Sequence, residues 1–79
     1  MSIYYFHMVY RDETRLDPVG SELPNDAAAI DEARAAAREM VIDRIRYGRR
    51  IHDIIFDVVA DTGRPVARVP LKSIIRTKF

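Results

Sequence analysis

The sequence contains no cysteine, no tryptophan, only three glycines and only two histidines. Without cysteine, the chain forms no disulfide, thiolate nucleophile or sulfur-ligated metal site. The glycines are isolated from one another, so there is no glycine-rich phosphate loop. No apolar run approaches the roughly 18 residues that span a bilayer, and residues 1–10 lack the features of a secretory signal. We therefore expect a soluble, cytoplasmic protein that does not enter a membrane.

What is present indicates one small folded domain. The chain has 79 residues, of which 48% are hydrophobic and 32% charged, and a disordered chain would be less apolar. Its net charge of +1 hides an asymmetry, because acids outnumber bases in residues 1–43 and bases outnumber acids in residues 44–79. Pairing between the two halves in the folded protein is favoured over a wholly exposed basic surface.

The first segment, from Ile3 to Tyr10, is rich in aromatic and β-branched residues, which predicts a strand. Both of its faces are apolar, so we expect it to be central in a sheet or covered on both sides. A short second strand is expected within residues 14–19, at an edge because Pro18 donates no ladder hydrogen bond. Residues 20–24 are interpreted as a connection.

A long helix is predicted from Ala27 to Tyr47, because this segment is rich in alanine, arginine and glutamate and lacks glycine and proline. Asn25 or Asp26 would cap its start, and Gly48 would end it. The helical period places one apolar stripe toward the core, consisting of Ile30, Ala33, Ala37, Met40 and Val41.

The last two strands are expected to form a hairpin around the turn sequence of residues 61–64. With Thr62 and Gly63 as a two-residue loop, the numbers of opposed residues sum to 125. This register places three pairs opposite each other: Phe56 with Val69, Asp57 with Arg68, and Val59 with Val66. Phe56 then belongs to the core, and the charged pair lies on the outer face of the hairpin.

These elements predict an α+β fold of order ββαββ, an antiparallel sheet with one long helix packed on one face. Residues 1–72 would form the single domain and residues 73–79 a basic C-terminal tail. One helix covers only one face of the sheet, so the second face could be covered by dimerisation. The residues predicted for self-association are Tyr4, Phe6, Met8, Ile55, Val59 and Val66. The pattern leaves open whether the alternate set of Ile3, Tyr5 and Val9 faces outward instead.

Catalytic signals are weak. The serines and threonines fall almost entirely in predicted loops or tails, so no nucleophile with a positioned base is visible. His7 lies in an aromatic strand and is interpreted as a sheet residue, and two histidines without a recognised spacing do not predict a metal site. We expect no enzyme activity, no catalytic or metal-binding residues and no cofactor.

The sequence is compatible with two functions. The first is a small noncatalytic protein-interaction domain that forms a homodimer. The alternative is nucleic-acid binding by the basic half, since arginines interleaved with an aromatic can contact phosphates and stack on a base. The residues predicted for that contact are Arg46, Arg49, Arg50, Lys72, Arg76 and Lys78.

Several short motifs occur in a fixed order: Tyr4-Tyr5-Phe6-His7, Gly20-x-Glu22-Leu23-Pro24, an alanine-rich helix, Phe56-x-Val58, Asp61-x-Gly63-Arg64 and Val69-Pro70. In this order the chain resembles a family of short bacterial proteins defined as a domain of unknown function. The resemblance covers nearly the whole chain and implies the order of elements, with no catalytic residues to carry over. The chain departs from that family in lacking a glycine in its first turn and in its extended tail.

Overall fold

The computed structural model describes residues 1–49, 51 and 53–75. Within them the chain forms five strands and two helices. In chain order these are β1 (Ser2–Tyr10), β2 (Glu13–Arg15), β3 (Ser21–Leu23), α1 (Asp26–Arg46), β4 (Ile54–Ala60), β5 (Pro65–Pro70) and α2 (Lys72–Ile75). The α+β class, the antiparallel sheet and the long helix are confirmed. β3 is an additional strand in the segment predicted to be a connection.

The first strand is central, as its two apolar faces predicted. β1 pairs antiparallel with β4 along its whole inner edge, from Tyr4 opposite Ala60 to Tyr10 opposite Ile54. Its other edge is shared by two short strands, β2 near its end and β3 near its start. β5 completes the sheet beside β4, giving the path β2-β1-β4-β5.

Helix α1 begins and ends where its capping residues predict. The side chain of Asn25 accepts a hydrogen bond from the backbone N–H of Ala28 at 2.9 Å, which satisfies one of the free amides of the first turn. At the other end, the N–H of Gly48 donates to the carbonyl of Ile45 and the N–H of Arg49 to that of Arg44. These two bonds form a Schellman motif that closes the helix just after Tyr47.

The core lies between α1 and one face of the sheet. Ala29, Ala33 and Ala37 are fully buried on the helix, and the small side chains let its backbone lie close to the sheet. The largest fully buried side chains are those of Ile54 and Val58 in β4 and of Leu71, which directly follows β5. The predicted helical stripe is confirmed for Ala33, Ala37 and Val41, which are buried, and for Met40, which packs against the core.

The last hairpin follows the predicted register only up to a bulge. Phe56 pairs with Val69, Asp57 with Arg68 and Val58 with Ala67, as expected. Beyond a register shift after Val58, Val59 lies opposite Pro65, so its predicted pairing with Val66 is wrong. Val66 packs against the core instead of lying on the outer face.

The physical reason for this shift is the turn. The N–H of Gly63 donates to the carbonyl of Ala60, and the N–H of Ala60 donates to the carbonyl of Arg64. The loop therefore has three residues, ending at Gly63 with φ of +86°, a conformation that favours glycine. A three-residue loop of this kind adds one residue to one side of the hairpin, and the bulge absorbs it.

The segment after β5 begins with a short helix. α2 covers Lys72–Ile75, across the boundary at which residues 73–79 were assigned to a basic tail. The hydroxyl of Ser73 donates to the carbonyl of Pro70 at 2.6 Å, and Ile74 packs against the core. Residues 76–79 of the proposed tail lie outside the described residues. Among the described helices, none is both long and apolar enough to cross a bilayer.

Candidate functional site

The described residues place no protein layer over the face of the sheet that is turned away from α1. We call it the open face. It is formed by alternate residues of the three long strands: Ile3, Tyr5, His7, Val9, Ile55, Asp57, Val59 and Arg68. These side chains are partly or fully exposed, while their neighbours along β4 are all buried beneath the helix. The alternation follows the two-residue period of a strand.

Residues that are paired across neighbouring strands form rows on the open face, and these rows differ in polarity. His7, Asp57 and Arg68 lie side by side on β1, β4 and β5 and form a polar row across the sheet. Asp57 and Arg68 form an ion pair, with 3.8 Å between the carboxylate oxygen and the guanidinium Nε. Apolar rows flank the polar one, with Tyr5 beside Val59 and Val9 beside Ile55. The open face is thus an apolar surface crossed by one charged stripe.

A shallow groove of about 460 Å³ runs along one side of the open face. Its floor includes Tyr5, His7 and Val59, and its walls are the loop around Leu16 and Pro18 and the hairpin turn. The rings of Tyr5 and His7 stack with their centroids 6.1 Å apart. Leu16 is 70% exposed at the rim. The groove extends the apolar surface beyond the strands.

Asp17 closes the gap between β2 and β3 at the outer edge of β1. Its carboxylate accepts hydrogen bonds from the backbone N–H groups of Phe6, Val19 and Gly20, and its own N–H donates to Nδ1 of His7 at 3.0 Å. Burial raises the pKa of the Asp17 carboxyl, but the backbone donors outweigh it and hold that pKa below its ordinary value.

Gly20 allows this loop to approach β1 closely. A Cβ atom at this position would lie 2.7 Å from the side chain of Ile3 and 2.9 Å from that of Tyr5. Both distances are too short for carbon atoms, so only glycine fits between the loop and the open face. The sequence indicated a connection here but not its contact with the sheet.

Asp26, the first residue of α1, links the helix to two distant parts of the chain, β1 and the last hairpin. The Tyr4 hydroxyl donates to its Oδ1 at 2.7 Å, and the Arg64 guanidinium donates to both carboxylate oxygens at 2.9 and 3.0 Å. The bonds from Arg64 and then Tyr4 lower the pKa of the Asp26 carboxyl to about 2. The same carboxylate raises the pKa of Tyr4 through their hydrogen bond. This cluster was not predicted from the sequence.

Six residues were predicted for self-association, and the structure does not bring them onto one surface. Tyr4 is 3% exposed beneath the helix, and Phe6 and Met8 pack against the same core. Only Ile55 and Val59 lie on the open face. The alternate set of Ile3, Tyr5 and Val9 lies beside them, so the register of β1 against β4 decides a question that the sequence left open.

The residues predicted for nucleic-acid contact are only partly described. Arg46 lies in the last turn of α1, 3.8 Å from the Asp43 carboxylate, and Arg49 follows the helix. Lys72 begins α2. Arg50, Arg76 and Lys78 lie outside the described residues, as does the second histidine, His52. No cluster of three or more potential metal-ligating side chains occurs in the described part of the chain.

Fold and surface together define a class: a small α+β domain in which one helix covers one face of an antiparallel sheet. The sequence model of a family described as Domain of unknown function (DUF6894) matches residues 3–72. The chain belongs to this family. Comparisons with curated proteins and with solved structures give no match. Two of the motif residues, Tyr4 and Arg64, meet at Asp26, which gives these motif positions a structural role.

Proposed function

We propose that this domain is a noncatalytic protein-interaction module that forms a homodimer through its open face. The observation that carries the proposal is the uncovered apolar surface of Tyr5, Val9, Ile55 and Val59 on the side of the sheet opposite α1. Contiguous apolar surface of this kind marks interaction sites in soluble proteins. A 79-residue chain buries only about 60% of its unfolded surface, so a second layer would add stability that it lacks.

A second copy of the chain is the occupant that the charges favour. The polar row contains an anion, Asp57, between a histidine and an arginine. A twofold interface repeats each contact, so a surface that carries both donor and acceptor can complement itself. The Asp57 side chain is 31% exposed and that of Arg68 is 62% exposed, so both have capacity for further bonds.

The register of β1 against β4 suggests where the twofold axis runs. An axis parallel to the strands and midway between β1 and β4 would place β1 of each copy over β4 of the other copy. Tyr5 then meets Val59, and His7 meets Asp57, each from the opposite copy. Arg68 would face the gap between β2 and β3, where Asp17 lies. This arrangement covers all apolar rows and opposes unlike charges.

Light scattering coupled to size-exclusion chromatography tests the proposal. At micromolar concentrations the protein should have twice the protomer mass of 9.1 kDa. Val59→Lys should shift it to the monomer, because each interface would then bury two unpaired ammonium groups. Circular dichroism should show that the variant remains folded.

Ile42→Lys is the matched control, since Ile42 is 51% exposed on the outer side of α1. It should leave the dimer intact. A wild-type protein that is monomeric at every concentration, or equal disruption by the two lysine variants, would contradict the proposed interface.

Nucleic-acid binding remains a second, untested prediction with weaker support. It requires affinity that falls steeply with salt. Around Arg46 and Arg49 the surface also carries acids, and Asp43 is paired with Arg46, which opposes a continuous phosphate backbone. We also expect the cytoplasm as the location of the protein, on composition alone, and cell fractionation tests this.

A further inference from the structure

A cavity of about 320 Å³ lies at the end of the sheet where α1 terminates. It is separate from the open face, since it lies on the helix side of β1 and β4. It is lined by Met8, Tyr10, Glu13, Arg15, Arg44, Arg49 and Ile54. Three of these seven residues are arginines, and they come from three separate parts of the chain: β2, α1 and the segment after α1. The fold therefore gathers three positive charges around one concave space.

Backbone bonds fix the positions of these arginines. Arg15 is held opposite Met8 in the β1–β2 ladder. Arg49 is held by the helix cap, because its N–H donates to the carbonyl of Arg44 at 2.7 Å. Both residues are thereby anchored at their main chains, on two different segments that border the cavity. The backbone of the site therefore needs no ordering when a ligand binds.

Two of the three arginines around the cavity, Arg15 and Arg49, form no ion pair with another described residue. Two other arginines at this end of the sheet have acidic partners. The guanidinium of Arg11 lies 3.9 Å from the Asp53 carboxylate, and that of Arg46 lies 3.8 Å from the Asp43 carboxylate. Arg44 has a second role, because a cation in the last turn complements the helix dipole. Arg15 lies in β2, outside the helix, and has no such role.

The rest of the lining limits the class of ligand. Met8 and Ile54 provide an apolar floor, and Tyr10, which is 39% exposed and has the Arg11 guanidinium 5.4 Å from its ring centroid, lies at the side. Glu13 offers a carboxylate that can accept hydrogen bonds from hydroxyl or amino groups. Guanidinium groups bind phosphate through paired N–H donors. The lining thus combines a phosphate-binding side, an apolar floor and one acceptor.

A second cavity of about 340 Å³ adjoins the first. It is lined by Met40, Asp43, Arg44, Tyr47 and Arg49, so two arginines are shared between the cavities. Tyr47 is 70% exposed there. A phosphate held at Arg49, which lines both cavities, would therefore have an aromatic side chain on either side, Tyr10 in one cavity and Tyr47 in the other. Aromatic side chains provide stacking surfaces for planar bases.

We infer that these joined cavities bind a small organic phosphate with a planar ring, of the size of a nucleoside monophosphate. The phosphate is bound by Arg15 and Arg49, and the ring lies against Tyr10 or Tyr47. The volume lies near the lower limit for small-molecule sites, which suits a single nucleotide. The carboxylates of Glu13 and Asp43, one in the lining of each cavity, would repel a longer polyanion.

Isothermal titration calorimetry with AMP, adenosine and inorganic phosphate tests this inference. AMP should bind most tightly, phosphate more weakly, and adenosine at least tenfold more weakly than AMP. Arg15→Gln and Arg49→Gln should each weaken AMP binding about tenfold or more, because each removes a charge-assisted pair. Arg34→Gln, on the outer surface of α1, should have no effect.

Three results would overturn the inference. These are AMP binding no tighter than that of adenosine, equal losses in the Arg34 variant, and a single-stranded oligonucleotide that binds far more tightly than AMP. The last would replace the small-molecule site with a nucleic-acid surface. Thermal unfolding of each variant without ligand separates loss of the site from loss of the fold. The inference does not depend on the dimer, since the cavity and the open face are separate surfaces.

Discussion

At the scale of single residues, the side chain that connects most of the fold is Asp26. It is the first residue of α1, yet its carboxylate binds Tyr4 from β1 and Arg64 from the last hairpin. These partners are 22 and 38 residues away in sequence. An acid in the first turn of a helix is predicted from the helix dipole alone. Its two long-range partners could not be predicted, because no local pattern encodes a contact across such separations.

This cluster predicts a specific pH dependence of stability. The pKa of Asp26 is lowered from 3.8 to about 2 in the folded protein. A carboxyl whose pKa is lowered by folding stabilises the fold at any pH above its pKa in the unfolded chain. That stabilisation is lost as the pH falls from the unfolded pKa through the folded pKa. The free energy of unfolding should therefore be lower in Asp26→Asn than in the wild type at pH 7. The difference should shrink as the pH falls from about 4 toward 2.

Urea denaturation of both proteins between pH 2 and pH 7 measures this difference. Arg64→Gln removes the main partner of the same carboxylate and should reduce the acid dependence in the same range. A difference between wild type and Asp26→Asn that stays constant down to pH 2 would show that the cluster does not hold the carboxylate ionised.

At the scale of elements, local signals located the helix better than the hairpin. Capping by Asn25 and closure at Gly48 are encoded within a few residues, so the ends of α1 were predictable. The hairpin was predicted one loop residue too short, because a glycine with positive φ suits both a two-residue loop and a three-residue loop. The three-residue loop occurs together with a bulge at Val66, which packs against the core, and the local sequence does not encode that long-range contact.

The packing of α1 on the sheet predicts the most destabilising substitution. Phe56 is 8% exposed beneath the helix and lies between Met8 and Val69 in the sheet. Phe56→Ala should lower the free energy of unfolding by about 3 to 5 kcal/mol, because it leaves a cavity in a core that is closely packed. In a domain of this size, that loss approaches the whole stability.

Chemical denaturation followed by circular dichroism checks this value. The control is Ile42→Ala on the exposed side of α1, which should change stability by about 0.5 kcal/mol or less. A loss below about 1 kcal/mol for Phe56→Ala would mean that the helix does not pack on this face of the sheet as described.

At the scale of the whole molecule, the described residues place α1 over one face of the sheet and no layer over the other. That an apolar face would remain uncovered was predictable, since the sequence has strands apolar on both faces and one long helix. Which face it would be was not, because both sides of β1 are equally apolar. The register of Tyr5 against Val59 and of Tyr4 against Ala60 decides it. The arginine cavity depends on the same tertiary arrangement, since Arg15 and Arg49 are distant in sequence.

Cross-linking at a single introduced cysteine tests the proposed dimer most directly, because the chain has no cysteine of its own. With the twofold axis between β1 and β4, Val59→Cys would bring two thiols within reach of a short bifunctional maleimide. Arg34→Cys would place them on the outer surfaces of the two helices, far apart. We predict covalent dimer from Val59→Cys at low micromolar concentration and none above background from Arg34→Cys. No covalent dimer at position 59, or equal yields from both variants, would contradict the account.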